Sequence, residues 1–232
     1  MSRGNIVIDC DDVIVDLKTL LVGAFNKELD LNKESKDLTD YDLTKVFNIP
    51  FDDVLGLFHK YNIIQNSKIF DYSVDAINRI NEMGFTPICL TARGWHNDAE
   101  RLTREYFEEH NVKIDNVIIL PDGMNKGEYL SKSGILAHSF IDDNFTHAKS
   151  VSDSKMVDKI YLRNETWNQD FKIDHISNME RVDTLCDMAT IIENNLLRGL
   201  SNKSISDVLI KKELAITDMP RKLKLKNKIG IN

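Results

Sequence analysis

The chain has 232 residues, of which 42% are hydrophobic and 29% are charged, and its formal net charge is −7. This composition argues against wholesale disorder. We find no basic-then-apolar leader and no apolar run approaching about 18 residues, so we expect neither a signal peptide nor a membrane span. Three scattered cysteines (Cys10, Cys89 and Cys186) fit a reducing compartment, and we expect a cytoplasmic protein.

Strand and helix patterns begin at the N-terminus. The β-formers Ile6–Ile8 predict the first strand, and 17–29 has apolar residues at helical spacing. A polar stretch at 30–42 is too charged to be core. Further helical patterns follow at Leu43–Phe47, Phe51–Tyr61 and Ser73–Met83.

From residue 86 the alternation of strands and helices becomes regular. The predicted strands are Thr86–Leu90, Asn116–Leu120, Ser139–Ile141 and Lys159–Leu162. The predicted helices are His96–His110, Asn125–Gly134, Thr146–Val151 and Arg181–Leu197. Strands separated by helices indicate a parallel sheet with right-handed crossovers. The first two strands are about 75 residues apart, against roughly 25 for the others, which predicts a helical insertion at about 17–70.

Carboxylates follow the first predicted strand directly. Asp9 and Asp11 are two residues apart, so they point the same way from an extended backbone. An unpaired carboxylate beside an apolar core costs several kcal/mol, and the usual compensator for clustered carboxylates is a hard divalent cation. Taken alone, the segment also fits a charged, solvated turn after an edge strand.

The residues just past the predicted strands can be considered together, because active sites of open parallel sheets lie beyond the carboxyl ends of the strands. They are Asp9 and Asp11, then Thr91 to Gly94, then Pro121 to Gly123 with Lys126, and finally Asp142 to Asn144. The set offers carboxylates for a cation, a hydroxyl and backbone amides for an anion, and a lysine. Such groups together are typical of phosphoryl transfer.

Four motifs at these positions carry a resemblance to a known family. IVIDCDDV, CLTARG, the lysine of MNKGEYL and SFIDDN resemble motifs I to IV of the haloacid dehalogenase superfamily phosphatases. The resemblance covers about residues 4–195. Within the superfamily the chain is most similar to the 5'(3')-deoxyribonucleotidases, through DCDDVIVD, Tyr41-Asp42-Leu43 and the loop 162–168. Asp12 departs from the pattern, in which glycine is usual.

The resemblance implies a three-layer α/β fold with a central parallel sheet. It divides the chain into a catalytic core at 1–16 and 71–197, an inserted helical cap at 17–70, and a basic helical tail at 198–232. The implied activity is Mg²⁺-dependent hydrolysis of deoxyribonucleoside monophosphates to nucleoside and phosphate, through an aspartyl-phosphate intermediate.

The resemblance also implies roles for the residues at the strand ends. Asp9 is expected to be the nucleophile, and Asp11 the general acid and then the general base. Phosphate binding is expected from Thr91, Ala92, Arg93 and Lys126. The expected Mg²⁺ ligands are Asp9, the Asp11 carbonyl and one motif IV aspartate, with Asp143 as direct ligand and Asp142 in the outer shell or bonded to Lys126.

Several of these assignments have alternatives. Lys132 competes with Lys126, which we prefer because it begins a helix near the site. Thr91 can also be a simple strand-end hydroxyl. Arg93 can contact phosphate or base, or form a surface ion pair, and Asp16 can position the cap or support the site. The histidines lack the spacing of metal ligands (His96, His110, His138 and His147).

The inserted cap is expected to provide substrate specificity, since a cap in this superfamily closes over the site and recognises the leaving group. Aromatic residues that could stack on a base are Phe47, Phe51, Phe58 and Tyr61. For any one of them the alternative is packing inside the cap, so we expect one or two to line the pocket.

Charge is distributed unevenly between the C-terminal tail and the rest of the chain. From Arg198 onward nine Lys/Arg face three Asp/Glu, a net of +6, which leaves −13 for the rest of the chain. A body of this charge repels polyanions, so we expect a small nucleotide substrate rather than nucleic acid. The tail carries a helical pattern around 205–214; it predicts a docked helix with a solvated end, or contact with another subunit or with nucleic acid. Of the two functional alternatives we prefer contact within a homo-oligomer.

Rival functions remain at this point. A polynucleotide 3'-phosphatase of the same superfamily is favoured by an open basic groove beside the site, and disfavoured by a closed cap. Another small-molecule phosphatase is also compatible. A non-catalytic binding protein on the same fold is disfavoured because the full set of Asp9, Asp11, Thr91, Lys126 and Asp143 is intact.

Overall fold

A computed structural model describes residues 2–199 of the chain. The chain divides into two compact units, Met1–Thr190 and Ile191–Asn232. Of the second unit, the structure describes 191–199, which are helical. All features described below belong to the first unit. The predicted helical pattern at 205–214 and the basic end of the tail lie outside the described residues.

Six parallel strands form the central sheet within the described residues. The strands of the first unit are β1 (Asn5–Ile8), β2 (Val15–Asp16), β3 (Lys68–Ile69), β4 (Thr86–Thr91), β5 (Asn116–Ile119), β6 (Ala137–Asp142), β7 (Val157–Arg163) and β8 (Met179–Val182). The sheet order is β5-β4-β1-β6-β7-β8. Val7 of β1 is aligned with Ile88 on one side and with Phe140 on the other.

The strand order reverses at β1. The chain runs outward through β4 and β5 on one side of β1, and then returns to build β6, β7 and β8 on the other. Loops leaving β1 on opposite sides open a crevice at such a point, and ligands of open parallel sheets bind there. The carboxyl end of β1, where Asp9 and Asp11 lie, is therefore at the position where a site is expected.

Helices flank the sheet and the insertion is helical. Their bounds are α1 (Leu17–Leu29), α2 (Leu43–Phe47), α3 (Phe51–Lys60), α4 (Ile63–Asn66), α5 (Ser73–Glu82), α6 (Ala99–Glu109), α7 (Lys126–Ser133) and α8 (Phe145–Ser154). In the core, α5 packs on β4, α6 on β5, and α8 on β6 and β7. Ile6, Val7 and Ile8 are fully buried, as expected for a central strand covered on both faces. The predicted α/β architecture is confirmed.

The predicted helix Arg181–Leu197 is wrong at its start. Residues Met179–Val182 form β8, which pairs in parallel with β7, and helical residues begin only at 185. The hydroxyl oxygen of Thr184 accepts a bond from the Asp187 amide and so satisfies a free donor of the first turn. A four-residue edge strand is too short to show an alternating pattern, so its last two residues were predicted as part of the helix that follows.

The insertion has its own small core. Leu21, Phe25, Phe47 and Val54 are buried together in it, and the rings of Phe25 and Phe47 lie 4.2 Å apart. Leu38 is also buried there, although the stretch 30–42 is too polar to be recognised as core from sequence. The insertion leaves and rejoins the sheet domain through β2 and β3, which pair antiparallel. The exact division into core and cap stays a prediction.

None of the helices in the described residues is both long enough and apolar enough to cross a membrane.

Candidate active site

A buried chain of charges lies at the carboxyl ends of β1 and β6. The Lys126 ammonium donates to Asp9 Oδ1 at 2.6 Å and to Asp142 Oδ2 at 2.7 Å. The lysine side chain is only 1% exposed, and that of Asp9 is 8% exposed. Ion pairs as buried as this one are screened little by solvent, so each group strongly influences the charge of the others.

Local sequence explains how Lys126 reaches this position. Asn125 caps α7 by accepting the Glu128 amide, so the helix begins at Lys126. Gly127 lies against the backbone of α8, where an added Cβ would come within 2.1 Å of the Ser150 carbonyl oxygen. The close approach of α7 and α8 therefore needs glycine and holds Lys126 over the strand ends. Lys132, the competing candidate, is an exposed residue that pairs with Glu128.

The two motif IV aspartates differ in how their oxygens are used. Asp142 accepts from Lys126 with one oxygen and from the Asn144 amide with the other, at 2.8 Å. Asp143 accepts from the Trp167 indole N–H at 2.9 Å through Oδ2. Both oxygens of Asp142 are thus engaged by the protein, whereas Asp143, which lines the cavity described below, keeps Oδ1 for another partner.

Burial shifts the protonation equilibria of these groups. The pKa of Asp9 is raised to about 6, mainly by burial and against the effect of Lys126. The pKa of Asp143 is raised well above its ordinary value by burial and by the charges of Asp142 and Asp9. Burial lowers the pKa of Lys126, but Asp142 and Asp9 outweigh it and the net pKa is raised. When ionised, the three carboxylates of the cluster carry more negative charge than the one ammonium of Lys126 offsets.

The geometry of the acidic cluster fits a divalent cation. Within the residues that the structure describes, oxygens of Asp9, Asp142 and Asp143 lie within 4.8 Å of one another, and all three residues are buried. Carboxylate oxygens are the ligands that Mg²⁺ prefers, and one bound dication would offset the excess negative charge. The residues present fit the expected metal.

The loop after β4 brings further predicted residues to the same place. Thr91 is fully buried, and its hydroxyl donates to Asp11 Oδ2 at 3.4 Å. Thr91 and Ala92 both line the cavity. An added Cβ at Gly94 would lie 2.4 Å from Asp122 Oδ1, so glycine is what lets the loops after β4 and β5 approach.

Arg93 is placed differently from the prediction. Its guanidinium does not line the cavity and does not lie at the surface; the residue is 2% exposed. It donates to both carboxylate oxygens of Asp11, at 2.9 and 2.5 Å, and to the Thr103 hydroxyl at 2.8 Å. Neither a phosphate contact nor a surface ion pair describes this arrangement, because all of its bonds are made behind Asp11.

The unusual Asp12 adopts the backbone conformation that glycine favours. Its φ is +52°, which aspartate tolerates better than most residues. The Asp12 carboxylate accepts the Lys18 amide at 3.0 Å, and its carbonyl accepts from the buried Arg163. Arg163 also pairs with Glu165 at 2.5 Å, and Glu165 pairs with Lys18. Hydrogen bonds to Lys18 at the start of α1 and to Arg163 at the end of β7 thus hold the turn at Asp12.

A cavity of about 490 Å³ extends from the acidic cluster to the helical insertion. Phe51 and Phe58 line it, together with Leu17. Phe47 and Tyr61 do not: Phe47 is buried in the core of the insertion, and the Tyr61 hydroxyl donates to Glu28 at 2.7 Å. Of the four aromatic candidates, Phe51 and Phe58 reach the cavity, and the placement of Phe47 and Tyr61 in the pocket was wrong.

Sequence reasoning missed several residues that line the cavity. They are Asp12, Lys18, Trp95, His147 and Trp167, with Tyr41 from the insertion. Four of them carried a signal: Asp12 and Tyr41 lie in quoted motifs, Trp95 directly follows CLTARG, and Trp167 lies in the loop 162–168. The Tyr41 pKa is raised well above its ordinary value, by burial of the hydroxyl and then by the charges of Asp143 and Asp9.

Comparisons with known proteins found similarity in sequence and in fold. No protein-family model matches the chain. A curated Bacillus subtilis (strain 168) protein named "Putative nucleotidase YqfW" is 26% identical over 190 residues, which cover 81% of this chain and 93% of that protein. The chain thus spans nearly the whole length of this relative.

Solved structures share the architecture at low sequence identity. One described as a predicted phosphatase from Clostridium acetobutylicum superposes with a TM-score of 0.60 at 9% identity, covering 84% of this chain and all of that one. A HAD family hydrolase from Deinococcus radiodurans R1, with bound phosphate and sodium, has a TM-score of 0.59 at 12% identity, covering 83% of this chain and 96% of that one. These likenesses show the fold.

Proposed function

We propose that this chain, whose fold is that of the haloacid dehalogenase superfamily, is a Mg²⁺-dependent phosphomonoesterase that hydrolyses deoxyribonucleoside monophosphates. The observation that carries the proposal is the buried group of Asp9, Lys126 and Asp143, which line a cavity of about 490 Å³, with Asp142 bonded to Lys126 beneath them. A cavity of this size is in the range of small-molecule sites. The name of the Bacillus subtilis relative supports a nucleotide as the substrate.

Asp9 is the proposed nucleophile. One of its oxygens attacks phosphorus, a new P–O bond forms, and the bond to the nucleoside oxygen breaks, leaving an aspartyl-phosphate. Lys126, 2.6 Å from Asp9, neutralises charge on the phosphoryl group as it is transferred. Thr91 and the amides that follow it hold a phosphoryl oxygen, a role supported by the position of Thr91 and Ala92 in the cavity wall.

Asp11 is the proposed general acid and base. It gives a proton to the departing nucleoside oxygen and later takes one from the water that attacks the aspartyl-phosphate. In that second half, the P–O bond to Asp9 breaks and its electron pair returns to the Asp9 carboxylate. The 23% exposure of the Asp11 side chain, which lines the cavity, supports direct access to a leaving group or a water.

Asp9, Asp143 and the Asp11 carbonyl are the proposed Mg²⁺ ligands. Asp142 is assigned to the outer shell because both of its oxygens are engaged by Lys126 and by the Asn144 amide. When bound, the ion stabilises negative charge on the transferring phosphoryl group. Its removal is expected to leave the excess acidic charge of the cluster uncompensated.

We propose that the cap at 17–70 recognises the nucleoside. Phe51 and Phe58 offer apolar faces on which a base can stack, and Trp95 and Trp167 widen the aromatic lining. Asp40 and Asp42 also line this side of the cavity, and their charges disfavour substrates with additional phosphate groups.

A substrate panel tests the proposal. We would measure phosphate release from deoxyribonucleoside and ribonucleoside monophosphates, sugar phosphates and a 3'-phosphorylated oligonucleotide, with and without Mg²⁺. The expected result is Mg²⁺-dependent turnover with a preference for the deoxyribonucleotides. Preference for the oligonucleotide would indicate the rival 3'-phosphatase, and absence of turnover for every substrate would contradict a phosphatase altogether.

A further inference from the structure

The Arg93 guanidinium makes three hydrogen bonds to side chains, two to Asp11 and one to Thr103. Its Nε lies 2.9 Å from Asp11 Oδ2, and its Nη2 lies 2.5 Å from Asp11 Oδ1. A planar guanidinium that engages both oxygens of a carboxylate fixes the orientation of that carboxylate as well as its position. A single rotatable donor such as lysine cannot do this.

The third of these hydrogen bonds attaches the guanidinium to the core. Arg93 Nη1 donates to the Thr103 hydroxyl at 2.8 Å, and Thr103 is fully buried on α6. The guanidinium is therefore held on one edge by Thr103 and engages Asp11 with the other. Because α6 packs against β5 of the sheet, the orientation of Asp11 is tied to the rigid core.

Exposure differs sharply between the two partners. The Arg93 side chain is 3% exposed, whereas that of Asp11 is 23% exposed. Asp11 lines the cavity and Arg93 does not. Arg93 can thus act on a substrate only through Asp11, and its loss should affect the proton transfers of Asp11 rather than the binding of phosphate.

We propose that Arg93 is a positioning residue that fixes the orientation of the Asp11 carboxylate at the cavity wall for both of its proton transfers. The inference rests on the proposed function, because it assigns Asp11 the roles given above. Proton transfer by a positioned side chain contributes about 10²- to 10⁴-fold to rate. A misplacement of about 1 Å can remove about 10²-fold.

The choice of leaving group separates the two steps. p-Nitrophenolate leaves without help from an acid, so with p-nitrophenyl phosphate only the water-activation step needs an oriented Asp11. In Arg93→Met we expect rapid release of one equivalent of p-nitrophenol, followed by slow turnover, and trapped phosphorylated protein. With a nucleotide both steps slow, so kcat falls about 10²-fold without a burst. KM is expected to change less than about threefold, because Arg93 does not line the cavity.

Two further variants keep the test decisive if Arg93→Met folds poorly. Thr103→Val removes the anchor but leaves the ion pair, and we expect the same pattern with a smaller loss, about tenfold or less in kcat. In the Asp11→Asn background, Arg93→Lys should cause no additional loss, since the residue acts through Asp11. The matched control is Arg101→Met; Arg101 pairs with Asp98 and Glu105 at the surface, and the variant should behave as wild type.

The outcomes separate this inference from the proposed function. A KM increase of tenfold or more with kcat preserved would overturn the positioning role and assign Arg93 to phosphate binding. Losses from Asp11→Asn and Arg93→Lys that multiply would also overturn it, while leaving the phosphatase proposal intact. If wild-type protein turns over no phosphomonoester, both proposals fail together.

Discussion

The two sides of the cavity are built in different ways. On the sheet side, Asp9, Thr91, Lys126 and Asp143 are buried, and each makes hydrogen bonds to protein groups from neighbouring strand ends or helices. On the cap side, the exposure of the residues that reach the cavity varies more widely: Phe51 is 61% exposed, whereas Leu38 and Val54 are buried. The sheet side thus supplies the buried charged groups, and the insertion supplies most of the apolar lining.

This difference shows how one site can divide its tasks. Groups that transfer a phosphoryl unit need fixed positions. A parallel sheet provides them because the carboxyl ends of its strands lie along one edge, with β1 between β4 and β6. Recognition of a leaving group needs a surface that can vary without disturbing the chemistry, and an insertion with its own core provides this. Variants on the sheet side should therefore change kcat, and variants on the cap side should change KM.

The largest expected effect is that of Asp9→Asn on the sheet side. The amide cannot attack phosphorus, so we expect turnover to fall by at least about 10³-fold, while the melting temperature stays close to wild type. Phosphate release and thermal unfolding measure the two quantities. Asp153→Asn is the control, since Asp153 is an exposed partner of Lys149. Retained activity in Asp9→Asn would exclude Asp9 as the nucleophile.

The next effect concerns the metal ligands. We expect Asp143→Asn to weaken Mg²⁺ binding by about 100-fold or more, and Trp167→Phe by about tenfold, because the second variant keeps the carboxylate ligand and loses the N–H that orients it. Calorimetric titration with Mg²⁺ measures both without substrate. Unchanged affinity in Asp143→Asn would show that this carboxylate is not a direct ligand.

On the cap side we expect a smaller, selective effect. Phe51→Ala should raise KM for a nucleotide by about fivefold, the equivalent of about 1 kcal/mol of stacking, with kcat within about twofold of wild type. Tyr61→Phe is the matched control: its hydroxyl contacts Glu28 outside the cavity, so KM should not change. A fall in kcat with constant KM would mean that Phe51 affects the chemical step.

A separate effect is expected on stability rather than on catalysis, at the turn after β1. Burial raises the pKa of Asp12 from 3.8 to about 8 in the folded protein. The folded protein therefore binds a proton that the unfolded chain releases at lower pH, and the resulting stability is present below about pH 4 and lost as the pH rises towards 8. Asp12→Asn keeps an acceptor for the Lys18 amide and does not titrate.

We accordingly expect the advantage of Asp12→Asn over wild type to grow between pH 4 and 8 by more than about 1.4 kcal/mol, the worth of one pKa unit. Chemical denaturation in EDTA measures it at each pH. The exposed Asp153→Asn variant should show no such growth. A difference that stays constant across this range would contradict an Asp12 pKa raised by burial.

Much of the architecture could be recognised from sequence because it depends on local patterns. Helical patterns located α1 and α2 at their observed bounds, and the strand-end motifs located Asp9 and Asp143. The start of the last helix failed because β8 is a four-residue edge strand without its own pattern. Leu38 was hidden in a polar stretch, since one buried residue leaves no periodic signal.

The sequence by itself determined which carboxylates, which hydroxyl and which lysine follow each strand. Only the tertiary structure decided what each side chain contacts. Arg93 is two residues from Thr91 in the chain, but its guanidinium lies behind Asp11 and bonds Thr103 on α6. Phe47 packs on Phe25, whereas Phe51 lines the cavity. Local patterns are set by the backbone period. Contacts between distant segments arise only once helices and strands pack, because side-chain direction and burial then select one partner from several.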